Sequence, residues 1–347
     1  MGCKCTSYTI AFIEGDGIGP EQASATREVL AEIDHVYDVS LNFVPVEAGD
    51  RTLKARGEAL PEKSMEAIKT SDCCLKGPIG ESAYDVIIRL RKELDLYANI
   101  RPAKSLPNVP SLNPSTDLVI VRENTEDLYT GLESGDNYRA TATRVISRRA
   151  SERIAKYAFE TARERKKRVT AIHKVNVMKK TDGLFLSACK EVASKYPDIG
   201  FSDMLVDAAA MNLIRNPQDF DVLVTTNMFG DILSDEAAQV AGGLGVAASA
   251  NIGDGFAIFE PVHGCAPDIA GTNTANPTSL LLSAAMMLNW LGHRRKDEHA
   301  TRASQAIYSA VDACLASGEV TRDLGGNLTT SEMGRAIKRR FQKEISK

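Results

Sequence analysis

The chain has 347 residues, of which 43% are hydrophobic and 25% are charged, and such a composition excludes wholesale disorder. The 42 basic and 46 acidic residues give a formal net charge of -4, which argues against nucleic-acid binding through a broad basic surface. No apolar run approaches the roughly 18 residues that a membrane-spanning helix needs, so we expect no membrane partner. At about 150 residues per domain, the length predicts two domains.

The cysteines and the N-terminus bear on the cellular compartment. Seven cysteines are too few and too irregularly spaced for a disulfide framework, and the N-terminus lacks the pattern of a secretory signal. We therefore expect reduced thiols in a cytoplasmic protein. Residues 1–6 also fit the loose pattern for N-myristoylation, but this motif is short and degenerate. A plain lead-in before the first strand is the favoured interpretation.

Strand-like and helix-like segments alternate along the chain, which predicts α/β layers around a largely parallel sheet. In the first half, the apolar patterns predict strands at 9–13, 41–46, 73–75, 97–101 and 118–122, and helices at 21–37, 62–69 and 85–94. Four prolines between residues 102 and 114 indicate a crossing between domains. The segment 139–146 is rich in Thr, Val and Ile, which predicts an arm or a hairpin.

The same alternation continues in the second half of the chain. The patterns predict strands at 169–173, 204–206 and 222–225, and helices at 151–165, 182–195, 232–240, 280–291, 303–316 and 332–343. Residues 242–255 are rich in Gly and Ala, and we interpret them as a second crossing between domains.

A glycine-rich turn is predicted at residues 15–20, between the first strand and the first helix. Its last glycine, Gly19, comes two residues after Gly17 instead of the three that a dinucleotide-binding fingerprint requires. Pro20 follows at once and suits the first turn of a helix. The segment therefore predicts a structural turn and not a Rossmann fold.

Three arginines lie near predicted strand or helix ends: Arg91, Arg101 and Arg122. A guanidinium binds a carboxylate through paired hydrogen bonds, so three convergent arginines would suit a di- or tricarboxylate substrate. Spacing alone favours the simpler interpretation, in which each arginine lies on a solvated face.

Asp231 and Asp235 are four residues apart, so their carboxylates project from one face of a helix. Oxygen ligands suit Mg²⁺ or Mn²⁺, and Asp207 at a strand end is a candidate third ligand. Taken alone, a helix cap at Asp231 is the favoured alternative. Lys174 also follows a predicted strand, and it is either a candidate general base beside such a metal or a solvated lysine.

Seven segments together carry a resemblance that covers nearly the whole chain: residues 15–21, 90–102, 122–129, 173–179, 230–237, 251–254 and 259–271. In this order they resemble the β-decarboxylating dehydrogenases, a family that includes isopropylmalate, isocitrate and homoisocitrate dehydrogenases. The resemblance reverses the simpler interpretations given above. It implies a two-domain α/β fold of the isopropylmalate/isocitrate dehydrogenase type.

The resemblance also implies a domain division and a subunit arrangement. Residues 1–102 and 256–347 would form a large discontinuous dinucleotide-binding domain, and residues 103–255 a smaller domain with the dimer interface and the metal-ligand helix. A homodimer or a dimer of dimers with shared active sites is expected, with no nucleic-acid partner. A non-catalytic regulatory subunit is the alternative from a different functional class.

By resemblance, each candidate residue receives a role. Arg91, Arg101 and Arg122 would bind the substrate carboxylates. Asp231 and Asp235 would bind Mg²⁺ or Mn²⁺ together with Asp207 of the partner subunit. The acid/base pair would be Tyr129 and, also from the partner subunit, Lys174. NAD is expected as the cofactor, because NADP-dependent relatives tend to carry Lys-Tyr where Asp268 and Ile269 stand, and a carboxylate repels a 2′-phosphate. The other residues implied at the dinucleotide are Glu260, His263, Gly264, Ala266 and Asn276.

The substrate expectation depends on the residues one turn before Arg91. Isocitrate enzymes typically place Ser and Asn at the positions of Asp85 and Ile87, and some homoisocitrate enzymes place Arg at the position of Ile88. Ile87 and Ile88 favour an isopropyl group over an unpaired carboxylate, whose burial is costly. The resemblance thus favours 3-isopropylmalate and leucine synthesis, with isocitrate and homoisocitrate as alternatives. Asp85 and Arg89 leave these open, since either side chain could reach the site.

Overall fold

The computed structural model describes residues 6–344, without the side chains of His35 and Glu344. The myristoylation motif at residues 1–6 lies outside the described residues except for Thr6. Within residues 6–344, no helix is both long enough and apolar enough to cross a membrane.

One ten-stranded sheet runs through the molecule in the order β2-β1-β3-β12-β11-β4-β5-β10-β8-β9. Its strands are β1 (Thr6–Ile13), β2 (Val39–Pro45), β3 (Cys73–Lys76), β4 (Ala98–Lys104), β5 (Asp117–Glu123), β8 (Arg168–His173), β9 (Gly200–Leu205), β10 (Val222–Thr225), β11 (Ala248–Ile252) and β12 (Ala257–Pro261). The strand β11 pairs antiparallel with both of its neighbours, β12 and β4, and β4 pairs antiparallel with β5. All other neighbouring strands of this sheet pair in parallel. The predicted α/β fold with a largely parallel sheet is confirmed.

Helices cover the sheet and bury its apolar strands. They are α1 (Gly19–Tyr37), α2 (Asp50–Arg56), α3 (Glu62–Lys69), α4 (Ala83–Glu93), α5 (Arg148–Arg163), α6 (Thr181–Ala193), α7 (Val206–Arg215), α8 (Asn227–Ala241), α9 (Thr278–Arg295), α10 (Glu298–Ala316) and α11 (Thr330–Glu344). The helix α5 is an example of how the sequence determines a helix and its packing. The Ser147 side chain caps its first turn, and Ile154, Ala158 and Phe159 pack into the core.

The arm predicted at 139–146 is a hairpin of β6 (Glu133–Gly135) and β7 (Ala140–Ala142). The crossing predicted at 242–255 is partly wrong, because β11 occupies residues 248–252. This strand is buried on both faces, so its small residues show no alternation that would reveal it. The cap at Asp231 is also wrong: α8 begins at Asn227, and Asp231 lies in the next turn. Because a single continuous sheet includes strands from both predicted domains, it does not mark a boundary between them, and the domain boundaries stay a prediction.

Candidate active site

A cavity of about 270 Å³ lies between α4, the ends of β4 and β5, α8 and the segment after β12. Ten of the residues singled out in the sequence line it: Ile87, Ile88, Arg91, Arg101, Arg122, Tyr129, Asp231, Glu260, His263 and Gly264. They come from positions up to 177 residues apart, and the central strands bring them together. The solvated-face interpretation is therefore wrong for the arginines.

An asparagine holds each of the three arginines in place. Each guanidinium donates from Nε to a side-chain oxygen: Arg91 to Asn251 at 3.1 Å, Arg101 to Asn99 at 2.8 Å, and Arg122 to Asn227 at 2.9 Å. Burial, and then the charge of Arg122, lower the pKa of both Arg91 and Arg101. Three fixed positive charges in one cavity fit a substrate with more than one carboxylate.

Two aspartates of α8 lie beside these arginines, and Asp231 is the one that lines the cavity. Asp231 pairs with Arg122, and Arg101 Nη1 lies 3.3 Å from Asp235 Oδ1. Burial alone would raise the pKa of Asp231, but Arg122 and a hydrogen bond from Tyr129 lower it. Burial raises the pKa of Asp235 despite the nearby Arg101. One helical turn thus presents two carboxylates, the oxygen donors that Mg²⁺ or Mn²⁺ prefers, beside the arginines.

Tyr129 lies in a short 3₁₀ turn, Leu128–Thr130, above the end of β5. Its hydroxyl donates to Asp231 Oδ2 at 2.5 Å, and Arg122 lies over its ring at 5.2 Å. Burial, and then the bond to Asp231, raise the pKa of Tyr129. The phenol therefore keeps its proton, and the Tyr129 side chain lines the cavity.

Lys174 and Asp207 lie apart from this cavity in the same chain. Lys174 follows β8, Asp207 is in the first turn of α7, and Lys174 Nζ lies 2.6 Å from Asp207 Oδ1. Within residues 6–344, no three acidic, His or Cys side chains converge as a metal site. The single chain thus supplies two carboxylates for a cation, and a third from Asp207 of the partner subunit stays a prediction.

Three residues that the sequence did not single out also line or support the cavity. Lys76, at the end of β3, pairs with Glu260 at 2.7 Å, and Asn251 on β11 donates to Glu260 at 2.6 Å. Tyr84 lines the cavity one turn before Ile88. The helical spacing of Tyr84, Ile87, Ile88 and Arg91 could have revealed Tyr84.

The candidate cofactor residues lie at the end of β12, which includes Glu260, and in the segment that follows this strand. Glu260, His263 and Gly264 line the cavity itself, while Asp268 and Ile269 are exposed farther along. Gln22 of α1 contacts the His263 ring at 3.1 Å and donates to the Asn276 carbonyl at 2.7 Å. The exposed carboxylate of Asp268 is of the kind that accepts hydrogen bonds from ribose hydroxyls.

The glycine-rich turn at residues 15–20 supports this loop. Gly15 and Gly17 have φ of 81° and 55°, and a Cβ on Gly17 would lie 1.9 Å from the Cys265 carbonyl oxygen. The Ile18 amide donates to that same oxygen at 2.9 Å. The predicted structural turn is confirmed, and its glycines allow the cofactor loop to approach closely.

Comparison with known proteins agrees with this geometry. The model of the isocitrate/isopropylmalate dehydrogenase family matches residues 9–337. The chain belongs to this family. It is therefore a decarboxylating dehydrogenase that uses NAD with Mg²⁺ or Mn²⁺.

Two curated relatives and one solved structure show the range of similarity. A 3-isopropylmalate dehydrogenase of Sulfurisphaera tokodaii is 51% identical over 94% of this chain and 97% of its own length. An isocitrate/homoisocitrate dehydrogenase of Thermus thermophilus is 47% identical over 95% of this chain and 98% of its own. The crystal structure of isocitrate dehydrogenase from Methylococcus capsulatus superimposes with a TM-score of 0.89 at 42% identity, covering 96% and 99% of the two chains.

Proposed function

We propose that this dehydrogenase oxidises 3-isopropylmalate with NAD and decarboxylates it to 2-oxoisocaproate in leucine biosynthesis. The observation that carries the proposal is the apolar wall of the cavity. Ile87 and Ile88 line it on the α4 face that also bears Arg91, one turn away. An isopropyl group buried there would gain about 1–3 kcal/mol, whereas a carboxylate would lack a charged partner on this wall.

Arg89 and Asp85, the two residues that left isocitrate and homoisocitrate as alternatives, do not line the cavity and so do not provide a partner for a charged group on C3 of the substrate. Arg89 donates to Glu93 at 2.7 Å and to the Leu60 carbonyl at 2.8 Å, and it also pairs with Glu62. These contacts hold its guanidinium away from the cavity. Asp85 is exposed and is not among the residues that line the cavity. Neither Asp85 nor Arg89 therefore supplies a charged partner beside Ile87 and Ile88.

Different residues of the site bind the substrate, the divalent cation and NAD. Arg91, Arg101 and Arg122 bind the two carboxylates of the substrate. Asp231 and Asp235 hold the divalent cation, which when bound stabilises the negative charge that develops as CO₂ leaves. Glu260, His263, Gly264, Ala266, Asp268, Ile269 and Asn276 contact NAD.

Two groups move protons in the proposed mechanism. Lys174 of the partner subunit takes the proton of the 2-hydroxyl as C2 is oxidised to a ketone, and NAD, when bound, would supply the hydride acceptor for this oxidation. The bond between C3 and its carboxylate then breaks, releasing CO₂ and leaving the electron pair as an enolate. Tyr129 gives its proton to C3 of this enolate and completes the product.

The proposal includes a homodimer, alone or paired into a tetramer, because Lys174 and Asp207 do not reach the cavity of their own chain. Large exposed apolar side chains lie on the same segments or on the neighbouring helix: Val177 follows Lys174 by three residues, Met211 and Ile214 are on α7 with Asp207, and Ile232 is on α8, which packs against α7. Such residues are typical of an interface between subunits. A cytoplasmic location is supported by the five described cysteines, Cys73, Cys74, Cys189, Cys265 and Cys314, which are free thiols.

The test is a panel of 2-hydroxy-3-carboxy acids assayed with NAD and Mn²⁺. We expect 3-isopropylmalate to give the highest kcat/KM. A higher kcat/KM for isocitrate or homoisocitrate would overturn the substrate assignment and leave the reaction class intact. No turnover of any acid in the panel would overturn the catalytic role and favour a regulatory subunit.

A further inference from the structure

Arg144 lies at the centre of a network of buried ion pairs and takes no part in the chemistry proposed above. It follows the β6–β7 hairpin, and its side chain is 13% exposed. Its guanidinium pairs with Asp127 on one side, at 2.6 Å, and with Asp182 on the other. Both aspartates have fully buried side chains, so this arginine is their charge partner in the interior.

Asp127 connects Arg144 to the turn that carries Tyr129. Asp127 Oδ1 accepts from the Leu128 amide at 2.9 Å, and Oδ2 accepts from the Met228 amide of α8 at 3.1 Å. The backbone of Asp127 has φ 72° and ψ -146°, a region that non-glycine residues rarely adopt. The contact with Arg144 therefore holds a strained residue two positions before Tyr129.

Asp182 connects the same arginine to Lys174. Asp182 Oδ2 accepts from the Lys174 backbone amide at 2.5 Å, where the chain leaves β8. The Lys174 carbonyl in turn accepts from the Met178 amide at 2.9 Å, which closes the turn ahead of α6. The direction of the lysine side chain thus depends on the position of the Asp182 carboxylate.

We propose that Arg144 is a positioning residue that fixes both proton-transfer groups, Tyr129 through Asp127 and Lys174 through Asp182. The inference rests on the proposed function, in which Tyr129 acts in the site of its own chain and Lys174 in that of the partner. One arginine therefore supports two active sites of the dimer, and its loss impairs both.

The test compares Arg144→Lys with Arg165→Lys. Arg165 is a matched control, because it also pairs with two aspartates, Asp117 at 2.7 Å and the buried Asp221 at 2.8 Å, and does not line the cavity. A lysine keeps the charge but cannot reach two carboxylates with fixed geometry. We expect Arg144→Lys to lower kcat by about tenfold or more with little change in the KM for NAD, because small displacements of reacting groups are costly. Arg165→Lys should keep the wild-type kcat.

Hybrid dimers purified with two affinity tags give the sharper readout. A hybrid of wild-type and Tyr129→Phe chains retains one intact site and about half of the wild-type activity. A hybrid of wild-type and Arg144→Lys chains has one displaced group in each site, so its activity should fall well below half. Asp182→Asn removes the buried carboxylate that contacts the Lys174 amide and keeps the pair between Arg144 and Asp127, so its hybrid should have about half the activity.

The outcomes separate this inference from the proposed function. Equal kcat values for Arg144→Lys and Arg165→Lys, or half activity in the Arg144→Lys hybrid, would overturn the role of Arg144 in both sites. If Arg144→Lys does not fold, wild-type kcat in Asp182→Asn would overturn it instead. Failure of the wild-type protein to turn over 3-isopropylmalate would overturn the proposed function itself.

Discussion

Lys76 Nζ lies 2.7 Å from Glu260 Oε2 beneath the cavity, and the two side chains are only 3% and 7% exposed. Burial alone would raise the pKa of Glu260, but Lys76 and Arg91 lower it to about 2. Asn251 donates to the other oxygen of this carboxylate and accepts from Arg91. The ion pair thus links the candidate cofactor side of the cavity to its substrate arginines.

This pair predicts how stability depends on pH. The folded pKa of Glu260 lies below the value of about 4.3 expected in the unfolded chain, so the folded state binds fewer protons. Its contribution is present above about pH 4.3 and is lost as the pH falls toward 2. We expect the urea midpoint of the wild-type protein to fall more steeply between pH 5 and 3 than that of Lys76→Met/Glu260→Gln. Parallel curves would show that the pair contributes no pH dependence.

Tyr129→Phe and Lys174→Met should each fold normally and lose most of their turnover, at least about a hundredfold in kcat, because general acid or base catalysis contributes on this scale. Each change removes one proton-transfer group and keeps the bulk of the side chain. Circular dichroism and thermal melts check the fold, and steady-state assays with 3-isopropylmalate and NAD measure the loss.

Tyr138→Phe and Lys167→Met are matched controls for these two variants. Tyr138 is 98% exposed, and Lys167 is an exposed lysine that forms an ion pair on the surface with Asp198 at 3.3 Å. Both controls should retain wild-type activity. Near-wild-type turnover in Tyr129→Phe and Lys174→Met would mean that the two residues are not the acid/base pair.

Mixing two inactive variants tests whether active sites are shared between subunits. Lys174→Met lacks the lysine that it would supply to its partner, and Asp231→Asn lacks a metal ligand in its own cavity. In a hybrid, the cavity of the Lys174→Met chain receives an intact lysine, so one site is complete. With random pairing, about a quarter of wild-type activity should return, since half of the dimers are hybrids with one working site. No recovery in hybrids of verified composition would place Lys174 in the site of its own chain.

The exposed pair Asp268 and Ile269 predicts the choice of cofactor. In Asp268→Lys/Ile269→Tyr, the carboxylate that repels a 2′-phosphate is replaced by a cation, so kcat/KM should fall with NAD and rise with NADP. Glu164→Lys makes the same change of charge at an exposed position on another part of the surface. This control should leave the preference for NAD unchanged. A double variant that still prefers NAD by the wild-type ratio would remove these two residues from cofactor selection.

Much of the site could be predicted because its residues follow regular elements. Arg122 lies near the carboxyl end of β5, and Ile87, Ile88 and Arg91 share one face of α4 through helical spacing. The sequence could not exclude a cap at Asp231, because an aspartate before an apolar run is typical of one, and only the start of α8 at Asn227 rules the cap out.

Other contacts had no local signal. Asn251 lies 160 residues from Arg91 and nine from Glu260, on a strand of small residues that shows no alternation. Arg144 lies in an exposed-looking run between a hairpin and α5, yet its partners Asp127 and Asp182 are 17 and 38 residues away. Such networks depend on tertiary pairing, which neither periodicity nor composition encodes.

The apolar wall of the cavity predicts that one substitution changes the preferred substrate. Ile88 lies one turn before Arg91 and lines the cavity, so an arginine there would place a cation where the isopropyl group of 3-isopropylmalate is expected. In Ile88→Arg, kcat/KM for 3-isopropylmalate should fall by about tenfold to a hundredfold, since a lost apolar contact of this size costs about 1–3 kcal/mol. At the same time kcat/KM for homoisocitrate should rise, because its extra carboxylate gains a charged partner. Arg89 is bound to Glu62 and Glu93, so Arg89→Leu serves as the control and should leave the substrate ratio unchanged. An unchanged ratio in Ile88→Arg would show that this wall does not select the substrate.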